Sequence, residues 1–108
     1  MRILGIDPGL AIVGYSLIEH INDENTLIAS GSIQTDKKKT EAERLCEIAV
    51  DMQTIIDKYK PDVASIEKLF YFKNQKTVIP VAEARGVILS ILQKNNIPFE
   101  SRNIDYGD

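Results

Sequence analysis

The sequence predicts an α/β domain built on a mixed sheet, in which three antiparallel strands are followed by helix, strand, helix and strand. Short apolar segments rich in β-branched residues alternate, in the second half, with long segments whose apolar residues recur every three or four positions. Turn residues separate the first three apolar segments, whereas a whole helical segment precedes the fourth. A crossover of that length is what parallel pairing of strands requires.

The first predicted strand ends in a carboxylate. Ile3, Leu4 and Ile6 form a short apolar run, and Asp7 follows it, directly before a proline and a glycine. Asp-Pro-Gly is favourable turn chemistry, so Asp7 is interpretable as a simple turn residue. A charged group at the mouth of a buried strand is costly unless it is paired, and a divalent cation is one such partner. Both interpretations of Asp7 remain open from these residues.

Two further strands and a helix follow in order. Residues 13–20 and 26–35 are predicted strands, joined by a cluster of turn residues. The helix begins at Thr40, whose spacing to Glu43 has the form of a capping box, and it ends before Pro61. Leucine, isoleucine and methionine residues between these points share one face, which we expect to be buried.

A second carboxylate, Glu67, follows the short apolar strand at residues 63–66. If this strand lies parallel and adjacent to the first, Asp7 and Glu67 come side by side at one edge of the sheet. Two carboxylates so placed repel one another unless a cation lies between them. Because Mg²⁺ takes oxygen ligands, the pair is a candidate half-site for Mg²⁺.

The segment after Glu67 is basic and aromatic in a chain that is acidic overall. It reads KLFYFKNQKT from Lys68 to Thr77. Lysines neutralise phosphates and aromatic faces stack on bases, so the segment is a candidate nucleic-acid contact loop. A loop whose aromatic residues fold back onto the domain is equally compatible with these residue types.

A second helix is predicted from about Thr77, as its N-cap, to Asn95. Pro80 then falls in the first turn, where its missing donor does no harm. Gly86 in the helix interior costs about 1 kcal/mol relative to alanine, which indicates close packing against another element, such as a partner helix. A short fifth strand is predicted at residues 97–99.

Composition limits the functional classes. The chain has 108 residues, enough for one domain (1–108) with a modest core, and no apolar run of membrane-spanning length. Its net charge of −3 gives no support to nucleic-acid binding from charge alone, so any such claim depends on local distribution. Cys46 is the single cysteine and is interpreted as a small packing residue. Without a signal peptide or a disulfide, a cytoplasmic location is expected.

The order of elements is that of the RNase H-like fold, and three motifs go further. GIDPG with Asp7, PDVASIEKLFYFKN with Glu67, and EARGV at 83–87 together resemble the RuvC family of Holliday-junction resolvases. The resemblance runs from Met1 to about Phe99. It implies an endodeoxyribonuclease that depends on Mg²⁺, with Mn²⁺ as a substitute, and that resolves Holliday junctions in recombination and repair by symmetric nicking.

The resemblance also implies roles for individual residues. Asp7 and Glu67 would be two of four metal-binding catalytic acids. The implied DNA-binding residues are Phe70, which would insert at the junction centre, and Lys73, Asn74, Lys76 and Arg85. The implied partners are four-way junction DNA, a second copy packed through the second helix across a two-fold axis, and branch-migration proteins of the same pathway; no membrane is implied.

The departure from the family lies at the end of the chain. The resembled family continues past the fifth strand to a last helix that carries further acids in a D-x-x-D arrangement. This chain stops at Asp108, and its Asp105-x-x-Asp108 has that spacing in a different place. We therefore expect the N-terminal portion of a nuclease domain, with the last helix missing and with weak or no cleavage by these residues alone.

The sequence leaves two other functional classes as alternatives to the nuclease. The first is a non-catalytic remnant of a resolvase that binds junction DNA or dimerises without chemistry. The second is a fragment of an actin-like ATPase, with Asp-Pro-Gly as a phosphate loop, which is disfavoured because the chain has no second glycine-rich phosphate loop.

Overall fold

One mixed sheet organises the chain, with two helices that contribute to its core. The computed structural model describes residues 1–68 and 75–102, without the side chains of 75–77 and 102. Its elements in chain order are β1 (Arg2–Asp7), β2 (Ile12–Ile21), β3 (Glu24–Gln34), α1 (Glu41–Tyr59), β4 (Val63–Glu67), α2 (Gln75–Lys94) and β5 (Phe99–Arg102). The described strands lie in the order β3-β2-β1-β4-β5.

Strand directions confirm the predicted mixed sheet. β1 pairs antiparallel with β2, and β2 antiparallel with β3. β4 pairs parallel with both β1 and β5, and each of these pairings is reached through a helix. Long crossovers of this kind are what parallel strands need, so β1 lies at the centre of the sheet between an antiparallel and a parallel neighbour.

The core lies between one face of the sheet and the two helices. Side chains alternate along a strand, so Leu4 and Ile6 of β1 are buried while Gly5 between them is half-buried. The fully buried side chains with the largest volumes come from β1, β2, β4, α1 and α2; they are Leu4, Val13, Leu17, Ile48, Met52, Ile66, Ile88 and Leu92. Neither helix in the described part of the chain is long and apolar enough to cross a membrane.

The β2–β3 connection is tighter than the sequence predicted. Asn22 and Asp23 both have positive φ, at 53° and 63°, which is the backbone of a two-residue type I′ hairpin turn. Asparagine and aspartate tolerate this conformation better than most residues. The predicted turn cluster is therefore too long, because Glu24 and Asn25 already belong to β3.

α1 begins with the predicted capping box. The Thr40 hydroxyl accepts a hydrogen bond from the Glu43 backbone N–H at 3.1 Å, and the Thr40 backbone N–H donates to the Glu43 carboxylate at 2.9 Å. The last turn closes at Lys60, which is left-handed and donates its N–H to the Ile56 carbonyl. Cys46 is exposed, so its interpretation as a packing residue is wrong; it lies beside the buried face of α1, not on it.

α2 begins two residues before the predicted start. Its first residue is Gln75, so Thr77 lies inside the helix and is not its N-cap. Pro80 consequently falls in the second turn, where it has no N–H to donate to the Lys76 carbonyl. Glutamine and lysine are good helix formers, and they extend the helix upstream of the position that the proline indicated.

Two more expectations concern the second half. Gly86 is exposed, and no element of the described chain packs against it, since a Cβ built on it would meet no neighbouring atom within 4 Å; its close contact with a partner helix stays a prediction. β5 begins at Phe99, two residues later than predicted. Ile97 is buried all the same, because the chain enters the core before the strand pairing begins.

A carboxyl pair joins the two helices. Glu41 begins α1 and Glu83 lies on α2, and the two carboxyl groups share a hydrogen bond. That shared hydrogen bond raises the pKa of Glu83, and burial and the Glu41 charge act in the same direction. Two carboxyl groups bond to each other only when a proton lies between them, so this contact is made at acidic pH.

We expect Thr40→Ala to lower the free energy of unfolding by about 1 kcal/mol, because it removes the hydroxyl that accepts the Glu43 backbone N–H. Urea denaturation measures the loss. Thr54→Ala is the matched control, since Thr54 is exposed within the same helix and caps nothing. The backbone N–H of Thr40 holds the pKa of Glu43 below its usual range, and the Thr40 hydroxyl adds to this effect. Alanine keeps the backbone N–H and removes the hydroxyl. The stabilisation by the hydroxyl is present above pH 4.5 and is lost as pH falls through the lowered pKa, so the difference between Thr40→Ala and the parent should shrink in acid.

We expect Glu83→Gln to raise stability at neutral pH, because the amide donates permanently to the Glu41 carboxylate. In the parent, the raised pKa of Glu83 means that the contact stabilises below pH 4.5 and is lost as pH rises through the raised pKa. Thermal unfolding measured from about pH 4 to about pH 8 tests this change, because that range includes both the protonated and the ionised form of a carboxyl group. Glu24→Gln, at the exposed start of β3, is the control; an identical pH profile for parent and Glu83→Gln would contradict the shared proton.

Candidate functional site

Asp7 and Glu67 come together at one edge of the sheet. In the parallel pair of β1 and β4, Ile6 lies opposite Ile66, and the next residue of each strand is the carboxylate. Both carboxylates line a single open pocket of about 420 Å³. The predicted parallel neighbourhood of the two strands is confirmed, and the role of the carboxylates as metal ligands stays a prediction.

Asp7 belongs to the strand, not to the turn that follows. It is in register with Gly14 of β2, and the turn begins with Pro8, which is buried. Gly9 is required there because a Cβ on it would lie 2.5 Å from the carbonyl oxygen of Ile12. The Asp-Pro-Gly sequence thus makes the turn through its proline and glycine and leaves the aspartate at the rim of the pocket, where its side chain is exposed.

Small and hydroxyl-bearing residues line the pocket next to the carboxylates. Gly5 lies between Ser16 on β2 and Ser65 on β4, and a Cβ on Gly5 would come 2.8 Å from the Ser16 hydroxyl oxygen. Across from Asp7, a Cβ on Gly14 would lie 3.7 Å from the Asp7 Cβ. The pocket therefore combines carboxylate and hydroxyl oxygens, the donor chemistry that suits a hard divalent cation.

Arg85 reaches the same edge from α2. Its Nε donates to the backbone carbonyl of Glu67 at 3.2 Å, and its Nη2 donates to the Ser101 hydroxyl at 2.5 Å. Both bonds are partly buried. The arginine that the family resemblance placed among the DNA contacts is thus bonded to the strand end that carries one of the two carboxylates.

Several predicted site residues lie outside the described residues; they are Phe70, Lys73, Asn74, Asp105 and Asp108. Lys76 is the second residue of α2, and its side chain is not described. Within residues 1–68 and 75–102, no group of three or more histidine, cysteine, aspartate or glutamate residues could hold a metal ion. The candidate metal site in that part of the chain is therefore a pair of carboxylates.

Sequence reasoning missed the polar lining of the pocket. Ser65 and Gly5 share the strand face of Glu67 and Asp7, since each lies two positions before its carboxylate. This period of two along a strand would have predicted, from the sequence, that Ser65 and Gly5 lie next to the carboxylates. Ser101 carried no comparable signal, because its contact with Arg85 depends on how α2 packs against the end of the sheet.

Sequence comparison identifies related proteins over nearly the whole chain. The family model of the crossover junction endodeoxyribonuclease RuvC matches residues 3–103. A protein of that name from Fusobacterium nucleatum is 48% identical over 101 residues, covering 94% of this chain and 53% of the relative. Another, from Halothermothrix orenii, is 55% identical over 89 residues, covering 82% of this chain and 54% of the relative. The chain thus spans about half the length of these curated relatives.

Solved structures share the fold. Thermus thermophilus RuvC in complex with a Holliday junction substrate superposes with a TM-score of 0.87 at 18% identity, covering 96% of this chain and 66% of that one. The fowlpox virus resolvase, crystallised with Holliday junction DNA, gives a TM-score of 0.65 at 23% identity, covering 100% and 65%. The expected RNase H-like fold is therefore confirmed.

Proposed function

This chain belongs to the family of the crossover junction endodeoxyribonuclease RuvC, and from that premise we propose that it carries the Asp7–Glu67 part of the active site of a nuclease that resolves four-way DNA junctions. The observation that carries the proposal is the position of the two carboxylates at the ends of neighbouring parallel strands, in one pocket. Family membership favours this nuclease over a remnant that binds junctions without chemistry.

Asp7 and Glu67 are the proposed ligands of Mg²⁺, for which Mn²⁺ is a substitute. When held by these two carboxylates, the ion would supply Lewis-acid chemistry toward the scissile phosphate and the attacking water. The chain's own residues set the conditions for binding: two negative charges at one rim repel the DNA phosphates as well as each other. A cation at the pair removes this repulsion, so we expect metal to strengthen DNA binding as well as to support the reaction.

Four-way junction DNA is the proposed substrate. The structural neighbours from Thermus thermophilus and fowlpox virus were solved with Holliday junction DNA. The proposed DNA contacts of this chain follow the metal edge in sequence; they are Phe70, Lys73, Asn74 and Lys76. Because the net charge of the chain is −3, phosphate binding must come from local basic residues such as these. We therefore expect the affinity for DNA to fall steeply as the salt concentration rises.

A homodimer through α2 is the proposed assembly. Ala82, Gly86 and Ser90 repeat every four residues along one side of α2, and Gly86 and Ser90 are exposed. Ile79, near this stripe, is 64% exposed, unusual for a large apolar side chain. The small residues would let α2 of a second copy approach closely, and that contact would bury the Ile79 side chain. The family also leads us to propose a cytoplasmic location and branch-migration proteins as further partners.

We expect Asp7→Asn to weaken Mn²⁺ binding by at least about tenfold, because loss of even an outer-shell partner of a metal ligand costs that much. Titration followed by electron paramagnetic resonance measures the affinity. Asp23→Asn, in the hairpin turn where asparagine is equally suited, is the matched control. Synthetic junctions incubated with Mg²⁺ test the chemistry, and we expect weak or no nicking by these 108 residues. Equal Mn²⁺ affinity of Asp7→Asn and the parent would contradict the proposed site.

We expect Gly86→Leu to shift the protein from dimer to monomer in sedimentation experiments, because the added side chain occupies space that the partner helix needs. The monomer fold should be retained or stabilised, because a Cβ on Gly86 meets no described atom within 4 Å outside its own chain neighbours and helix backbone, and because leucine is the better helix former by about 1 kcal/mol. Val50→Leu, on the exposed side of α1, is the control. An unchanged dimer in Gly86→Leu would place the interface elsewhere.

A further inference from the structure

We infer that Arg85 is a positioning residue, which fixes the main chain of Glu67 at the metal edge, and that its role is not contact with DNA phosphate. The inference rests on the proposed function, in which Glu67 is a metal ligand, and it goes beyond that function by assigning what holds the ligand in place. It replaces the role that family resemblance implied for Arg85.

One guanidinium connects three elements at this edge. Arg85 projects from α2, donates through Nε to the Glu67 carbonyl at the end of β4, and donates through Nη2 to Ser101 of β5. Ser101 lies opposite Ile66 in the β4–β5 pairing, so the second bond holds the strand next to the residue before Glu67. The helix and both strands are therefore tied together beside the candidate ligand.

The position of Glu67 in the sheet explains why such a bond matters. The register of β4 with β1 ends at Ile66, one residue before Glu67. The carboxylate projects from the Glu67 main chain, so a bond that holds this main chain also restrains the carboxylate. Mg²⁺ demands near-ideal octahedral geometry, and sites of this kind need their ligands held to within about 0.5 Å. Glu67 stays in register with Arg102 of β5, and the bond from Arg85 to the Glu67 carbonyl adds a restraint from α2 where pairing with β1 has stopped.

The donors in use argue against a phosphate contact. Arginine clamps a phosphate through two parallel N–H groups. In Arg85 the side-on pair, Nε and Nη2, is already bonded to Glu67 and Ser101, which leaves only the end-on pair of the guanidinium for a phosphate. The same geometry explains why the residue is arginine: two donors in a fixed planar fork reach two acceptors on different strands. Lysine offers a single point charge at the end of a flexible stem and cannot reproduce both bonds.

Mn²⁺ affinity tests the inference in the full chain. Titration by electron paramagnetic resonance compares the parent with Arg85→Gln, Arg85→Lys and Ser101→Ala. We expect both Arg85 variants to bind Mn²⁺ about tenfold or more weakly, the usual effect of losing support for a ligand, and Ser101→Ala to weaken binding less. Thr40→Ala is the matched control, since it destabilises the fold through the α1 cap, and its Mn²⁺ affinity should equal that of the parent.

Junction binding separates positioning from phosphate contact. In EDTA, across a salt series, we expect the slope of log affinity against log salt to be the same for Arg85→Gln and the parent. A slope smaller in magnitude by about 0.9, the effect of one lost phosphate contact on duplex DNA, overturns the inference. The inference is also overturned if the Arg85 variants bind Mn²⁺ as tightly as the parent while Asp7→Asn binds it more weakly. That result leaves the proposed function intact. Mn²⁺ binding that is insensitive to Asp7→Asn refutes the proposed function and this inference with it.

Discussion

The parallel pairing of β1 with β4 is the constraint on which the rest of the molecule depends. It requires α1 as a crossover, and its register places Ile6 beside Ile66 within the core. A slip of one residue would turn every side chain of β4 to the opposite face, which would expose Ile66 and bury Glu67. Because burial of an unpaired carboxylate is strongly unfavourable, the register that gives the best core also fixes the two carboxylates at the rim.

The electrostatics of the edge follow from that register. Neighbouring carboxylates in water already repel by about 1 kcal/mol at 4 Å, and by more near a protein surface, where the effective dielectric constant is lower. Asp7 and Glu67 line one pocket, whose other polar side chains include the hydroxyls of Ser16 and Ser65. Arg85 brings a positive charge to the strand end from the side of α2 without occupying the pocket lining itself.

The features that sequence could predict are those set by local pattern and by topology. The Thr40 capping box depends on residues three apart, and the pairing of Asp7 with Glu67 needed only strand ends and the crossover rule. The features that it missed depend on tertiary contacts. Gly86 indicated close packing, and the described chain leaves open space there; residue type alone does not distinguish a contact within the chain from one with a partner helix. Pro80 indicated a helix start, whereas α2 extends further upstream because helix-forming residues precede it.

Arg85 shows most clearly where residue type stops being informative. An arginine after a basic, aromatic segment fits a phosphate contact as well as a structural one, since the guanidinium donates equally to phosphate, carbonyl and hydroxyl oxygens. What decides between them is the packing of α2 against the ends of β4 and β5, which brings Glu67 and Ser101 within reach of one side of the fork. Once those bonds exist, the arginine stabilises the strand end that carries Glu67, the proposed ligand. The same side chain therefore links the stability of the sheet edge to the geometry of the candidate metal site.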